Sequence, residues 1–164
     1  MQVTDKKTRR YLASARGLSA LHIACLNCNR DQIAELLSMP QCNPSPLDRN
    51  GTTPLRMCIG GMGQGEDTII DIMSMLIQGG SDVREVDCDG RTLLHEIVLS
   101  DLMMDHKILI GFLVEMGVPD SHDAQQMTAG ELARSNIWDS HIGFEFSRLI
   151  DSLFLGSRKR QKIS

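Results

Sequence analysis

Apolar residues in this chain fall in short runs at helical spacing, separated by polar punctuation. Ile33, Leu36 and Leu37 mark one face of a helix predicted over 31–39, because residues three and four apart share a helix face, and Ile69, Ile70, Ile72, Met73, Leu76 and Ile77 mark a further helix over 67–78. Further helices are predicted over 107–116 and about 144–154, and shorter ones over 20–28, 54–59 and 93–100. Each shorter run follows a turn and a cap: Gly17-Leu18-Ser19, Gly51-Thr52-Thr53 and Gly90-Arg91-Thr92. Glycine accepts positive φ at a turn, a Ser or Thr hydroxyl accepts from an orphan helix N–H, and Pro54 suits a first helical position. Asp123 to Ala133 is a degraded copy with Gln126 at the glycine position.

The equivalent turn positions are 17, 51, 90 and 126, spaced 34, 39 and 36 residues apart. A period in the thirties with this punctuation predicts stacked helix-turn-helix repeats. The longer spacings have a local cause. Gly60 to Gly65 holds four glycines in six residues and reads as a linker between helices, since glycine is costly inside a helix. Asp101 to His106 reads as a second insertion.

Thr53-Pro54-Leu55, Leu21-His22-Ile23-Ala24 and Thr92-Leu93-Leu94-His95 resemble the ankyrin repeat, and Leu76-Ile77-Gln78-Gly79-Gly80-Ser81-Asp82-Val83 is similar to the ending of that family's second helix. The resemblance covers about residues 17 to 155. It implies an all-α solenoid of stacked helix-turn-helix units joined by short hairpin turns, with repeats near 17–47, 48–86, 87–122 and 123–155. Residues 1–16 are expected to form an N-terminal capping segment and 156–164 a basic disordered tail. The chain departs from the family at Arg56, which replaces a histidine, and at Gln126 and Gly130, which replace a turn glycine and a core leucine. Repeat four is therefore expected to be a capping repeat, with Trp138 and Phe144 anchoring its end. The resemblance implies a non-enzymatic protein-binding module, an adaptor or a stoichiometric inhibitor. In size and acidity the chain is similar to the ankyrin-built inhibitors of cyclin-dependent kinases and to those that mask Rel-type transcription factors.

Charge narrows the choice of partner. Residues 17–155 hold 20 Asp and Glu against 8 Lys and Arg, a formal −12, and the segments on either side each carry +4. An acidic body argues against gripping nucleic acid phosphates and favours a protein partner with a basic and apolar segment. No apolar run approaches the roughly 20 residues a membrane span needs, so no membrane role is expected. Residues 1–10 carry no signal-like apolar stretch. Five cysteines, an odd number, read as reduced thiols of a cytoplasmic or nuclear protein. Arg158-Lys159-Arg160-Gln161-Lys162 has the composition of a nuclear import signal or a solubilising tail.

Candidate chemistry is thin. His22-x-x-Cys25-x-x-Cys28 has half the spacing of a zinc or redox site, but no second half follows, and two thiols on one helix face also suit packing. His22 and His95 occupy the repeat's histidine position, where a structural hydrogen bond is expected. Gly60 to Gly65 lacks the Lys and Ser or Thr of a phosphate loop. No catalytic residue, metal or cofactor is expected. Function is expected on the concave face that such arrays build from turn tips and first helices. Its tip residues would be Asp48, Arg49, Asn50, Asp87, Asp89, Arg91 and Asp123, and its helix positions Ile23, Met57, Glu96 and Leu132. The chain is expected to be monomeric alone; the alternative is a subunit that self-assembles or completes a larger ankyrin complex.

Overall fold

The computed structural model describes residues 17–60, 65–100, 107–135 and 140–161. Among them are eight α-helices and no strand, as the all-α expectation requires. The chain divides into two compact units, Met1–Asp82 and Val83–Ser164. The expected capping segment 1–16, the core of the glycine linker and the 101–106 insertion lie outside the described residues, as does Trp138.

The first unit holds α1 (Ala20–Leu26), α2 (Arg30–Ser38), α3 (Pro54–Gly60) and α4 (Glu66–Gln78). Inner helix α1 packs on α3, and outer helix α2 on α4. Ile33, Leu55, Ile69, Met73 and Leu76 are fully buried between them. Pro54 opens α3 and Thr53 Oγ1 accepts from the Arg56 N–H at 3.2 Å. Helix α1 is shorter than expected. Cys28 takes φ +50, its N–H reaches Cys25 O, and the Asn29 N–H reaches Ala24 O. These two bonds make a Schellman ending, so Cys28 lies beyond the helix and does not share a face with Cys25. Helix α4 ends the same way at Gly80, φ +102, with Ser81 N–H bonded to Leu76 O.

The second unit holds α5 (Leu93–Leu99), α6 (Lys107–Glu115), α7 (Ala129–Ser135) and α8 (Ser140–Gln161). Helix α5 packs on α7, α6 on α8, and α7 against α8. Leu93, Leu94, Ile97, Leu109 and Leu113 form the core. Two glycines let α8 approach closely. A Cβ on Gly143 would fall on the Ala133 carbonyl, and one on Gly130 would meet Ser147 Oγ at 3.1 Å. The glycine at a core-leucine position thus has a cause: the space a leucine would fill is taken by α8.

Two expectations about the end of the chain are corrected. Phe144 does not anchor it, being 55% exposed; the inward register of α8 instead buries Phe146 and Ile150. The stretch from Gly156 is not disordered throughout, because α8 continues through Gln161. A single glycine with no proline after it weakens a helix without stopping it.

Candidate functional site

The three turns share one hydrogen-bond plan, built on aspartate. Asp48 Oδ1 accepts the N–H groups of Asn50 and Thr52 at 2.8 and 2.7 Å. Asp87 does the same for Asp89 and Arg91 at 2.9 and 2.8 Å, and Asp123 for Gln125 and Met127 at 2.9 and 3.0 Å. Backbone bonds close each turn behind the carboxylate. Gly51 and Gly90 supply φ of +71 and +72; Gln126, at the same position, is forced to +60.

This plan corrects the sequence expectation for the tips. Asp48 and Asp123 are buried, and Asp87 is half-buried over its own turn. They are acceptors for backbone donors that would otherwise go unpaired, not carboxylates offered to a partner. Met57 is also corrected, since it is fully buried. Ile23 and Glu96 hold the same register position on α1 and α5, and there Ile23 is 45% exposed and Glu96 half-buried. Arg49 and Asn50 are exposed, with Arg49 lying against Gly17. Asp89 pairs with Arg91 at 3.0 Å in a partly exposed ion pair. The accessible members of the expected set are thus Ile23, Arg49 and Asn50 in the first unit, and Asp89, Arg91, Glu96 and half-buried Leu132 in the second. The aspartate role was readable in the sequence: an Asp three residues before the turn Gly or Gln in three turns marks an Asx-type anchor.

Histidine joins turn to turn. The Ser19 N–H donates to His22 Nδ1 at 3.1 Å, which leaves Nε2 as the donor to Thr52 O at 2.9 Å. The Thr92 N–H donates to His95 Nδ1 at 3.2 Å, and Nε2 donates to Met127 O at 3.0 Å. Both rings are buried. With both nitrogens engaged, neither imidazole is free to act as a base or a ligand. In repeat four Glu131 holds the histidine position. Its Oε2 accepts from the Thr128 N–H at 2.8 Å, and its own N–H donates to Thr128 Oγ1 at 3.3 Å. The backbone bond from Thr128 lowers the Glu131 pKa, reinforced by the Thr128 hydroxyl.

The thiols are also structural. Cys25 and Cys58 are fully buried. The Cys58 thiol is pushed well up by its hydrogen bond to Cys25 and then by burial; the Cys28 thiol is raised by burial and then by Cys25. Raised thiols hold their protons, and the thiolate is the form that binds metal or attacks. Among the described residues no group of three His, Cys, Asp or Glu is placed to hold a metal ion.

Residues 16–49 match the sequence model of the ankyrin repeat. No curated protein matches the chain in sequence. Among solved structures it is similar to the ankyrin repeat domain of Bcl-3, described as a unique member of the IkappaB protein family, with a TM-score of 0.61 and 23% identity. The likeness covers 82% of this chain and 54% of that one, so this chain spans about half the length of that domain.

Proposed function

We propose that this chain, an ankyrin-repeat protein by fold, is a non-catalytic protein-binding module acting as an adaptor or stoichiometric inhibitor. Its binding face is built from turn tips and first helices. The observation that carries this reading is the division of labour among polar groups. Asp48, Asp87, Asp123, His22 and His95 are all engaged within turns and joints, so the framework is fixed from inside. Ile23, with Arg49 and Asn50 exposed on the same unit, is left outward on rigid elements. Rigid presentation of an apolar anchor among polar neighbours is what a binding hot spot needs. Asp48, Asp87 and Asp123 are used inside the turns, so the proposed partner engages this face chiefly through an apolar segment at Ile23. The site of action is proposed to be the cytoplasm or nucleus, where reducing conditions suit five reduced cysteines.

The test is affinity capture from native lysate with wild type and three surface variants: Ile23→Asp, Arg49→Glu and Glu96→Lys. These positions avoid the turn aspartates, so folding is expected to survive. A partner retained near stoichiometry by wild type, and weakened about tenfold by Ile23→Asp, supports the reading. Equal retention by all four proteins would place binding on another face. Capture by none, together with a mass that grows with concentration, would favour the self-assembling alternative.

A further inference from the structure

Helix α6 differs from the other outer helices on its exposed side. It packs on α5 and α8 and buries Leu109, Ile110, Leu113 and Val114. The side left outward is apolar as well. Ile108 is 62% exposed, Met116 is 42% exposed, and Phe112 between them is half-buried. The three are four residues apart, and the Met116 N–H still bonds Phe112 O at 2.9 Å, so they form one stripe along the helix. Leu36, Leu76 and Leu113 hold one position in the three repeats. Counted back from it, Ile108 and Phe112 stand where α2 has exposed Asp31 and Glu35, and where α4 has exposed Asp71 and half-buried Met75. Carboxylates on an outer face are at ease in water. A stripe of Ile, Phe and Met gains by leaving it.

We propose that this stripe is the contact surface for a second copy of the chain, in an antiparallel pair of α6 helices related by a two-fold axis. The charges beside the stripe select that occupant. Lys107 and Glu115 lie four residues before and four after Gly111, on the row next to the stripe. Both are exposed, and among the described residues neither is in an ion pair. A face with a cation at one end and an anion at the other complements itself only when turned end to end. In that arrangement Lys107 of each copy reaches Glu115 of the other, Ile108 lies at the level of Met116, and the two Phe112 rings meet at the centre. A parallel pairing would set Lys107 against Lys107 and Glu115 against Glu115. The antiparallel contact uses the same patch twice and closes at two copies. A different protein would have to supply an apolar stripe with charges in the reverse order, and a second copy already carries both. None of these residues belongs to the binding face proposed above.

Sedimentation equilibrium of the full chain, from low micromolar to millimolar concentration, decides it. One helix face per copy is a small interface, so a Kd of about 100 μM is expected, with the chain monomeric when dilute and paired when concentrated. Lys107→Glu or Glu115→Lys alone should raise that Kd about tenfold, since by symmetry each places two like-charge pairs in the contact. An equal mixture of the two variants should dimerise like wild type, because both pairs are then opposite in charge. Ile108→Asp should abolish dimerisation over the same range. A wild type that stays monomeric throughout would overturn the proposal and leave the stripe to a different protein. Dimerisation indifferent to the charge reversals, a mixture no better than its components, or masses growing past the dimer would overturn it too. Should Ile108→Asp fail to fold, the charge variants and their mixture decide alone.

Discussion

The two units use the same inner joint and different outer walls. His22 to Thr52 in the first and His95 to Met127 in the second agree within 0.1 Å, each with its cap N–H on Nδ1. The outer helices share no such rule. In the first unit α2 leaves Leu36 half-covered beside an open depression. In the second, α8 runs for 22 residues and presses onto α7 through Gly130 and Gly143. A joint made by four or five residues can be copied from repeat to repeat. An outer wall depends on which neighbour covers it, so it varies.

The largest expected effects test whether the joint is one module. His22→Ala and His95→Ala each remove a buried ring and two hydrogen bonds, and each should cost about 3 kcal/mol in denaturant unfolding. Losses that differ by more than about 1 kcal/mol would show that the two joints are not equivalent. Next come the turn anchors. Asp48→Ala and Asp123→Ala strand two backbone donors apiece and should cost about 2 kcal/mol, whereas Asp→Asn at either site keeps an acceptor oxygen and should cost less than half as much.

The walls should respond differently from the joints. Gly143→Ala should cost about 2 kcal/mol by overpacking, because its Cβ would fall on the Ala133 carbonyl. Gly111→Ala, in α6 with nothing within 4 Å of an added Cβ, should instead stabilise by about 0.5 kcal/mol or more. Matching effects at the two glycines would remove close approach as the explanation for α8. A smaller gain is expected from Gln126→Gly, which relieves a positive φ and should add up to about 1 kcal/mol.

The smallest effect concerns the repeat-four cap. Glu131 has its pKa lowered in the folded chain, so its capping contribution is present above the ordinary carboxylate range. That contribution fades as pH falls through the lowered value. NMR titration should place the Glu131 midpoint below that of an ordinary exposed glutamate, and Glu131→Gln should flatten this part of the stability profile. A midpoint that is not lowered would show that the Thr128 bonds do not hold the carboxylate.

Local chemistry made the caps, turns and helix pairs legible. Ser19, Thr53 and Thr92 cap as their residue types require, Pro54 starts α3, and Gly80 ends α4. The same chemistry could have identified Asp48, Asp87 and Asp123 as turn anchors and Thr128-x-x-Glu131 as a capping box. Their acidity drew them instead into an interaction surface. Ile23, Met57 and Glu96 show the limit of such reading. They share one register position, yet one is exposed, one fully buried and one between.

By itself, then, the sequence determined where the capped helices start, where turns close and which histidines reach the next turn, because each of those outcomes is settled by hydrogen bonds within a few residues or at a fixed repeat offset. Tertiary structure alone decided that Met57 is covered and Ile23 is not, that Phe146 rather than Phe144 faces inward, and that Gly130 makes room for α8. Burial depends on which surfaces meet, and those surfaces come from helices brought together only by folding.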